Sequence, residues 1–94
     1  MRPSPLQRLR EVPEGPEGLA VLDLALREAV AHRLGRPLAR IDRRAFAELP
    51  PGLAERAVEI GRALDRARFA GDAPSPDLTA RVESLVATLE ARAA

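Results

Sequence analysis

Apolar side chains recur at alternating spacings of four and three residues in two segments of the second half of the chain. The positions are Leu53, Ala57, Ile60 and Leu64 in one segment, and Leu78, Val82, Leu85 and Leu89 in the other. Such spacing places side chains on one face of an α-helix. It predicts one helix from about Gly52 to Ala70, ended by Gly71, and another that starts at Pro76 after a Ser75 N-cap.

An earlier segment is apolar on almost every side. Between Leu19 and Leu26 the only polar residue is Asp23, and the predicted helix runs from about residue 16 or 18 to residue 34, before Gly35. A helix of this kind is typical of the centre of a bundle or of a surface buried in an oligomer. Within it, Asp23 should form an ion pair with Arg27, four residues later.

Two shorter helices are indicated by their capping residues. Ser4 and Gln7 have the spacing of a capping box, in which each side chain binds the backbone N–H of the other. Asp42 is a natural N-cap for a connecting helix that should end near residue 48. Ile41 before that cap and Phe46 after it have the spacing of a hydrophobic staple.

Together these elements predict an all-α fold, a small helical bundle of three main helices plus one or two short N-terminal or connecting helices. Residues 1–94 should form a single helical domain, with a short helix and a turn-rich arm in 1–15 and the helical core in 16–94. Both phenylalanines should anchor layers of the core. The predicted core residues are Leu19, Leu22, Leu26, Phe46, Leu53, Ile60, Leu64, Phe69, Leu78, Val82, Leu85 and Leu89.

Composition narrows the class of protein. The chain has no cysteine, which excludes a disulfide scaffold and a cysteine zinc site. No stretch of 18 residues lacks charge, so no membrane span is expected, and the first apolar segment contains Asp23, which argues against a secretory signal. We therefore expect a cytoplasmic location. The use of arginine without lysine suggests a bacterium with a GC-rich genome, and the scarcity of Asn, Gln, Cys and Met is a thermophile tendency.

Candidate catalytic and metal-binding groups are few. His32 is the only histidine, and Glu28 lies one helical turn before it, but two ligands are too few for a zinc site and a surface ion pair is the better interpretation. Glu55 and Glu59 share a helix face among arginines, which favours a solvated face over an acid–base pair. The sequence therefore predicts no catalytic residue, no cofactor and no bound metal.

The densest positive charge falls between the first long helix and the connecting helix. This basic segment carries Arg33, Arg36, Arg40, Arg43 and Arg44 within 12 residues. One interpretation is a solvated loop. The other is a binding surface for an anionic partner, either an acidic surface of another protein or a phosphate group. The formal net charge of the whole chain is only +1, far from the excess of a nucleic-acid-binding protein.

The connecting helix, the Pro50-Pro51-Gly52 turn and the following helix also have the order of a helix-turn-helix motif. Glu55 and Glu59 on the second of these helices would face phosphates with negative charge. We therefore expect no specific nucleic-acid binding. A nucleic-acid-associated protein that uses the basic segment remains the alternative.

The favoured function is a non-catalytic protein–protein interaction or assembly module. The apolar helix offers more surface than one neighbour can cover. Either the two later long helices pack on opposite sides of it in a monomer, or Val21, Leu24 or both pair with a second copy in a homodimer, which is the favoured arrangement.

One run of residues carries a family resemblance. Leu64-Asp65-Arg66-Ala67-Arg68-Phe69, within the helix from Leu53 to Gly71, resembles the C-terminal cytoplasmic helical tail of BatD-type aerotolerance proteins of bacteria. In that family the tail follows extracytoplasmic β-domains and a membrane anchor, which have no counterpart in these 94 residues. The resemblance implies a helical module that meets other proteins, near an AAA-type ATPase and a von Willebrand-type partner, and it supplies no catalytic residue.

Overall fold

The computed structural model describes residues 4–93, and every regular element in that range is helical. The elements are α1 (Pro5–Leu9), α2 (Glu17–Leu34), a 3₁₀ turn (Leu38–Arg40), α3 (Arg43–Phe46), α4 (Leu53–Ala70) and α5 (Pro76–Ala93). The predicted all-α fold, with three long helices and two short ones, is confirmed. The 3₁₀ turn inside the basic segment was not predicted.

Local side-chain chemistry sets where the helices begin. The Ser4 hydroxyl accepts a hydrogen bond from the Gln7 N–H at 3.2 Å, and the Gln7 side-chain oxygen accepts from the Ser4 N–H at 2.9 Å. The Asp42 carboxylate accepts from the Ala45 N–H at 3.1 Å at the start of α3. All three side chains satisfy N–H groups that a helix start leaves without a partner. The predicted caps of α1 and α3 are confirmed.

Two glycines end the long helices α2 and α4. Gly35 has φ of 68° and Gly71 has φ of 74°, both in the left-handed region that a side chain disfavours. At the start of α5, the Ser75 hydroxyl accepts from the Leu78 N–H at 3.1 Å. These three residues fix the ends of the long helices within a residue or two of the predicted positions.

Helix α2 is the centre of the bundle. It packs against α1, α4, α5 and the 3₁₀ turn, and Leu19, Leu22 and Leu26 are completely buried. Val21 and Leu24 are partly buried within the single chain. This arrangement explains why α2 is apolar on almost every side, because neighbours within the chain surround it. No helix in residues 4–93 is long and apolar enough to cross a bilayer.

One predicted core residue lies on the surface. Phe69 is 96% exposed, whereas Phe46 is fully buried, so the prediction that both aromatic rings anchor the core is wrong for Phe69. Phe69 follows Leu64 by five residues, which turns it about 140° away from the buried stripe of α4. Leu53, at the start of α4, is only partly buried against the core. The other predicted core residues are buried.

Gly18 allows the N-terminal arm to pack against the start of α2. A Cβ atom at Gly18 would collide with the Pro13 carbonyl oxygen and would lie 2.7 Å from the Pro74 ring. Gly18→Ala is therefore expected to lower the free energy of unfolding by about 1–3 kcal/mol, the usual cost of overpacking. Thermal unfolding followed by circular dichroism measures this loss.

Gly15→Ala is the matched control for Gly18→Ala. The atoms nearest to a Cβ atom there belong to the carboxylate end of Glu17, an exposed and flexible side chain that can rotate away. We expect this variant to unfold close to the parent temperature. Equal losses of stability in the two variants would show that the contact with Pro13 and Pro74 does not restrict residue 18.

Candidate functional site

Five exposed side chains follow one side of α4, opposite the face that enters the core. They are Glu55, Glu59, Arg62, Arg66 and Phe69, and we call them the outer face of α4. They lie within about 80° of the helix circumference. The core-facing side of the same helix carries Ala57, Ile60 and Leu64. The spacing of the apolar residues thus determines which side of α4 is left for contacts outside the chain.

Phe69 is the most prominent residue of the outer face. Among the residues that the structure describes, the exposed large hydrophobic side chains are Phe69, at 96%, and Leu6, at 40%. Moving a phenylalanine side chain from water to a buried site is worth about 1.5–3 kcal/mol. Phe69 makes no such gain inside the chain, so that free energy is available to a contact with another molecule.

A shallow depression lies at the opposite end of the outer face. It has a volume of about 550 Å³ and lies between α3 and the first turns of α4. The lining residues are Ala47, Ala54, Glu55, Val58, Glu59 and Arg62. Alanine and valine side chains supply its apolar lining, and two glutamates and one arginine supply its charges. Its chemistry suits an apolar side chain that arrives with charged neighbours.

The charges of the outer face change sign along the helix. Glu55 and Glu59 lie in the first half of the face, and Arg62 and Arg66 lie in the second half. Glu59 accepts a hydrogen bond from Arg81 of α5 at 2.9 Å, in a pair whose two side chains are well exposed. Arg62 and Arg66 are exposed and form no ion pair with any residue between 4 and 93, so both are available to an acidic partner group.

A cluster of charges around the buried Asp23 side chain joins α2, α3 and α4. The Asp23 side chain is only 7% exposed, and its carboxylate lies 2.6 Å from Arg43, 3.0 Å from Arg27 and 3.6 Å from Arg68. Arg43 also donates to Asp65 at 2.8 Å. The predicted Asp23–Arg27 pair is confirmed as one part of this cluster. Because its members come from three helices, the cluster fixes α4 against α2.

Hydrogen bonds control protonation in the cluster. Burial lowers the pKa of the Arg43 guanidinium, but its hydrogen bonds to Asp65 and Asp23, together with their charges, outweigh burial and raise that pKa above its ordinary value. The hydrogen bond from Arg43 also holds the pKa of Asp65 below its ordinary value. On the surface, the hydrogen bond from Arg36 lowers the pKa of Glu48 in the same way.

These lowered pKa values predict how stability depends on pH. A carboxylate whose pKa is lower in the folded state stabilises the fold above its unfolded pKa, about 3.9 for Asp and 4.3 for Glu. That contribution is lost as the pH falls through the folded pKa. The Asp65→Asn and Glu48→Gln variants should therefore lose less stability than the parent when the pH is lowered from about 6 to about 2. Unfolding temperatures at the two pH values measure the difference.

Glu14→Gln is the control for this pH dependence, because Glu14 is exposed and forms no ion pair within residues 4–93. Its acid sensitivity should match that of the parent. An Asp65→Asn variant with unchanged acid sensitivity would contradict the role given to the Arg43–Asp65 hydrogen bond.

No protein-family model, curated protein or solved structure matches the chain. The candidate site is therefore assigned from the side chains on the outer face of α4. Phe69 is the surface residue of this site that the sequence does not predict, because a rare aromatic side chain favours a core position. The available signal was helical phase, since Phe69 lies outside the four-three-four stripe of α4.

The basic segment is divided by contacts within the chain. Arg36 donates two hydrogen bonds of 2.6 Å to Glu48, and Arg43 belongs to the charge cluster around Asp23. Arg33 is partly buried, and Arg40 and Arg44 are exposed. The assignment of all five arginines to partner binding stays a prediction. Arg36 is exposed too but is held by Glu48, so Arg40 and Arg44 are the part of the segment most accessible to a partner.

The predicted Glu28–His32 pair is wrong, because other helices supply the partners. His32 Nδ1 lies 3.0 Å from the Glu90 carboxylate on α5, and Glu28 forms an ion pair with Arg8 on α1. In the part of the chain that the structure describes, no group of three or more His, Cys, Asp or Glu side chains is placed to hold a metal ion. The self-association predicted for Val21 and Leu24 stays a prediction.

Proposed function

We propose that this chain is a non-catalytic protein–protein interaction or assembly module that binds its partner through the outer face of α4. The observation that carries the proposal is Phe69, which is 96% exposed at the end of a face that also bears Arg62 and Arg66, two arginines without an ion pair to any residue between 4 and 93. Aromatic and arginine side chains are enriched in protein interfaces and among the residues that contribute most to binding.

The partner should present acidic groups around an apolar pocket. A phenylalanine buries about 150–250 Å² when it enters a pocket, and arginines beside it select for carboxylates. The nucleic-acid alternative is less well supported. Arg36 and Arg43 of the basic segment already bind acidic side chains of the chain itself, and Glu55 and Glu59 would repel phosphates on α4.

We also propose a cytoplasmic location for the module, because a small chain without cysteine is typical of compartments where disulfides are rare. The resemblance of residues 64–69 to the BatD-type tail suggests one partner class to try first, an AAA-type ATPase.

Photocrosslinking in cells that produce the chain tests the proposal. A p-benzoylphenylalanine residue replaces Phe69 in one sample and Ala91, an exposed residue of α5, in the control. We expect irradiation to give a discrete covalent protein adduct from position 69 and little from position 91. Adding Arg66→Glu should weaken the adduct, because it reverses a charge beside Phe69. Equal adduct yields at positions 69 and 91 would contradict the proposal.

A further inference from the structure

We infer that the outer face of α4 binds a second copy of itself, with two α4 helices antiparallel across a two-fold axis. The inference rests on the proposed function and names its partner. Two independent features of the face are self-complementary. One is the order of its charges, and the other is the position of the depression relative to Phe69.

The charges of the outer face are arranged symmetrically about the peptide bond that joins Ile60 and Gly61. Glu59 and Arg62 lie equally far from that point on either side, and so do Glu55 and Arg66. In an antiparallel pair centred there, Glu55 of one copy meets Arg66 of the other, and Glu59 meets Arg62. The two-fold axis forms every contact twice, as an isologous interface requires. Opposite charges therefore face each other at four places.

The same geometry gives Phe69 a place to bind. Helical side chains lean toward the N-terminal end of their helix, so the Phe69 ring covers the surface just before its own position. In the antiparallel pair that surface meets the first turn of the partner helix. Ala47, Ala54 and Val58 of the second copy line the depression there. One pairing therefore buries both exposed phenylalanines and matches the charges as well.

The resulting dimer should be weak. Two helix faces with one aromatic anchor each form an interface at the small end of the range for specific complexes. We expect a dissociation constant on the order of 10⁻⁵ M. The Glu59–Arg81 contact is exposed and must rearrange when Arg62 of the partner copy approaches, which weakens the pairing further.

Sedimentation equilibrium on the full chain tests the inference. The unmodified chain should move from 10.2 kDa toward twice that mass as its concentration rises through the micromolar range. Glu55→Arg and Arg66→Glu should each weaken the dimer about tenfold or more, because each places like charges opposite one another. An equimolar mixture of the two variants should recover the parent affinity, since every opposed pair is again of opposite sign.

Glu83→Arg is the control, because it makes the same change of charge as Glu55→Arg on an exposed part of α5. It should leave the affinity of the dimer unchanged. A parent chain that stays monomeric at high micromolar concentration overturns the inference, whatever the variants do. A dimer that resists both charge reversals and is dissociated by Val21→Arg or Leu24→Arg also overturns it, in favour of the surface on α2. Photocrosslinking from position 69 to a different protein, with a monomeric chain, overturns the inference and leaves the proposed function standing.

Discussion

Replacing Phe46 by alanine is expected to lower the free energy of unfolding by about 3–5 kcal/mol, the usual cost of removing a buried aromatic ring. Phe46 is completely buried, and its helix α3 packs against α4. Its ring would lie 3.2 Å from a Cβ atom at Gly61, and the Arg43 guanidinium stacks over it at 5.2 Å from the ring centroid. No other residue between 4 and 93 brings an aromatic ring into the core.

This loss is a large share of the total, because a domain of 94 residues has a stability of about 5–14 kcal/mol. At about 4–8 °C per kcal/mol for a chain of this size, the unfolding temperature should fall by at least about 12 °C. Circular dichroism in dilute solution measures the transition.

Phe69→Ala is the matched control, since it deletes the same ring from a fully exposed site. Its unfolding in dilute solution should stay within about 0.5 kcal/mol of the parent. A Phe69→Ala variant as unstable as Phe46→Ala would mean that Phe69 packs inside the bundle, and the outer face of α4 would lose its anchor.

Asp23→Asn is expected to destabilise the fold by about 2–3 kcal/mol, because it removes the one carboxylate shared by three arginines at a buried position. Arg27, Arg43 and Arg68 would keep their charges without that partner. The loss should be smaller than for a fully buried ion pair, because about a third or more of each arginine side chain remains exposed. Chemical denaturation at neutral pH measures the difference in free energy.

Asp65→Asn separates burial from charge in this cluster. Asp65 also binds Arg43, but its side chain is 56% exposed, so its replacement should cost less than about 1 kcal/mol at neutral pH. If Asp23→Asn cost no more than Asp65→Asn, the cluster would be a surface feature without a role in holding α4 against α2.

The helix ends were predictable because each depends on chemistry within a few residues. The side chains of the Ser4–Gln7 capping box and of Asp42 bind backbone groups close to them in sequence. Gly35 and Gly71 adopt the left-handed conformation that glycine allows. None of these needs knowledge of the tertiary structure. The sequence therefore predicted the order and approximate length of the long helices.

Contacts between distant helices could not be read from spacing alone. Glu28 has a histidine one turn away but pairs with Arg8, which α1 brings to it. The local spacing predicts one arginine partner for Asp23, whereas the structure has three, because Arg43 and Arg68 reach it from α3 and α4. Each neighbour depends on how helices pack, which local patterns do not encode.

The candidate surface was partly predictable from helical phase. The sequence predicts a solvated face for Glu55 and Glu59, and both residues are exposed. Phase alone also places Phe69 on their side of α4, but the rarity of aromatic residues favoured a core position for it. The depression between α3 and α4 needs the tertiary fold, because Ala47 lies outside α4 and is brought to it by the Pro50-Pro51-Gly52 turn.

Backbone NMR of the unmodified chain over a dilution series is the most direct test of pairing through α4. Raising the concentration should shift the amide signals of the outer face, strongest near Glu55, Arg66 and Phe69, and leave those near Val21 and Leu24 unchanged. The pairing through α4 would be contradicted if the α4 signals stayed unchanged at concentrations as high as several hundred micromolar. Shifts centred on Val21 and Leu24 would contradict it as well.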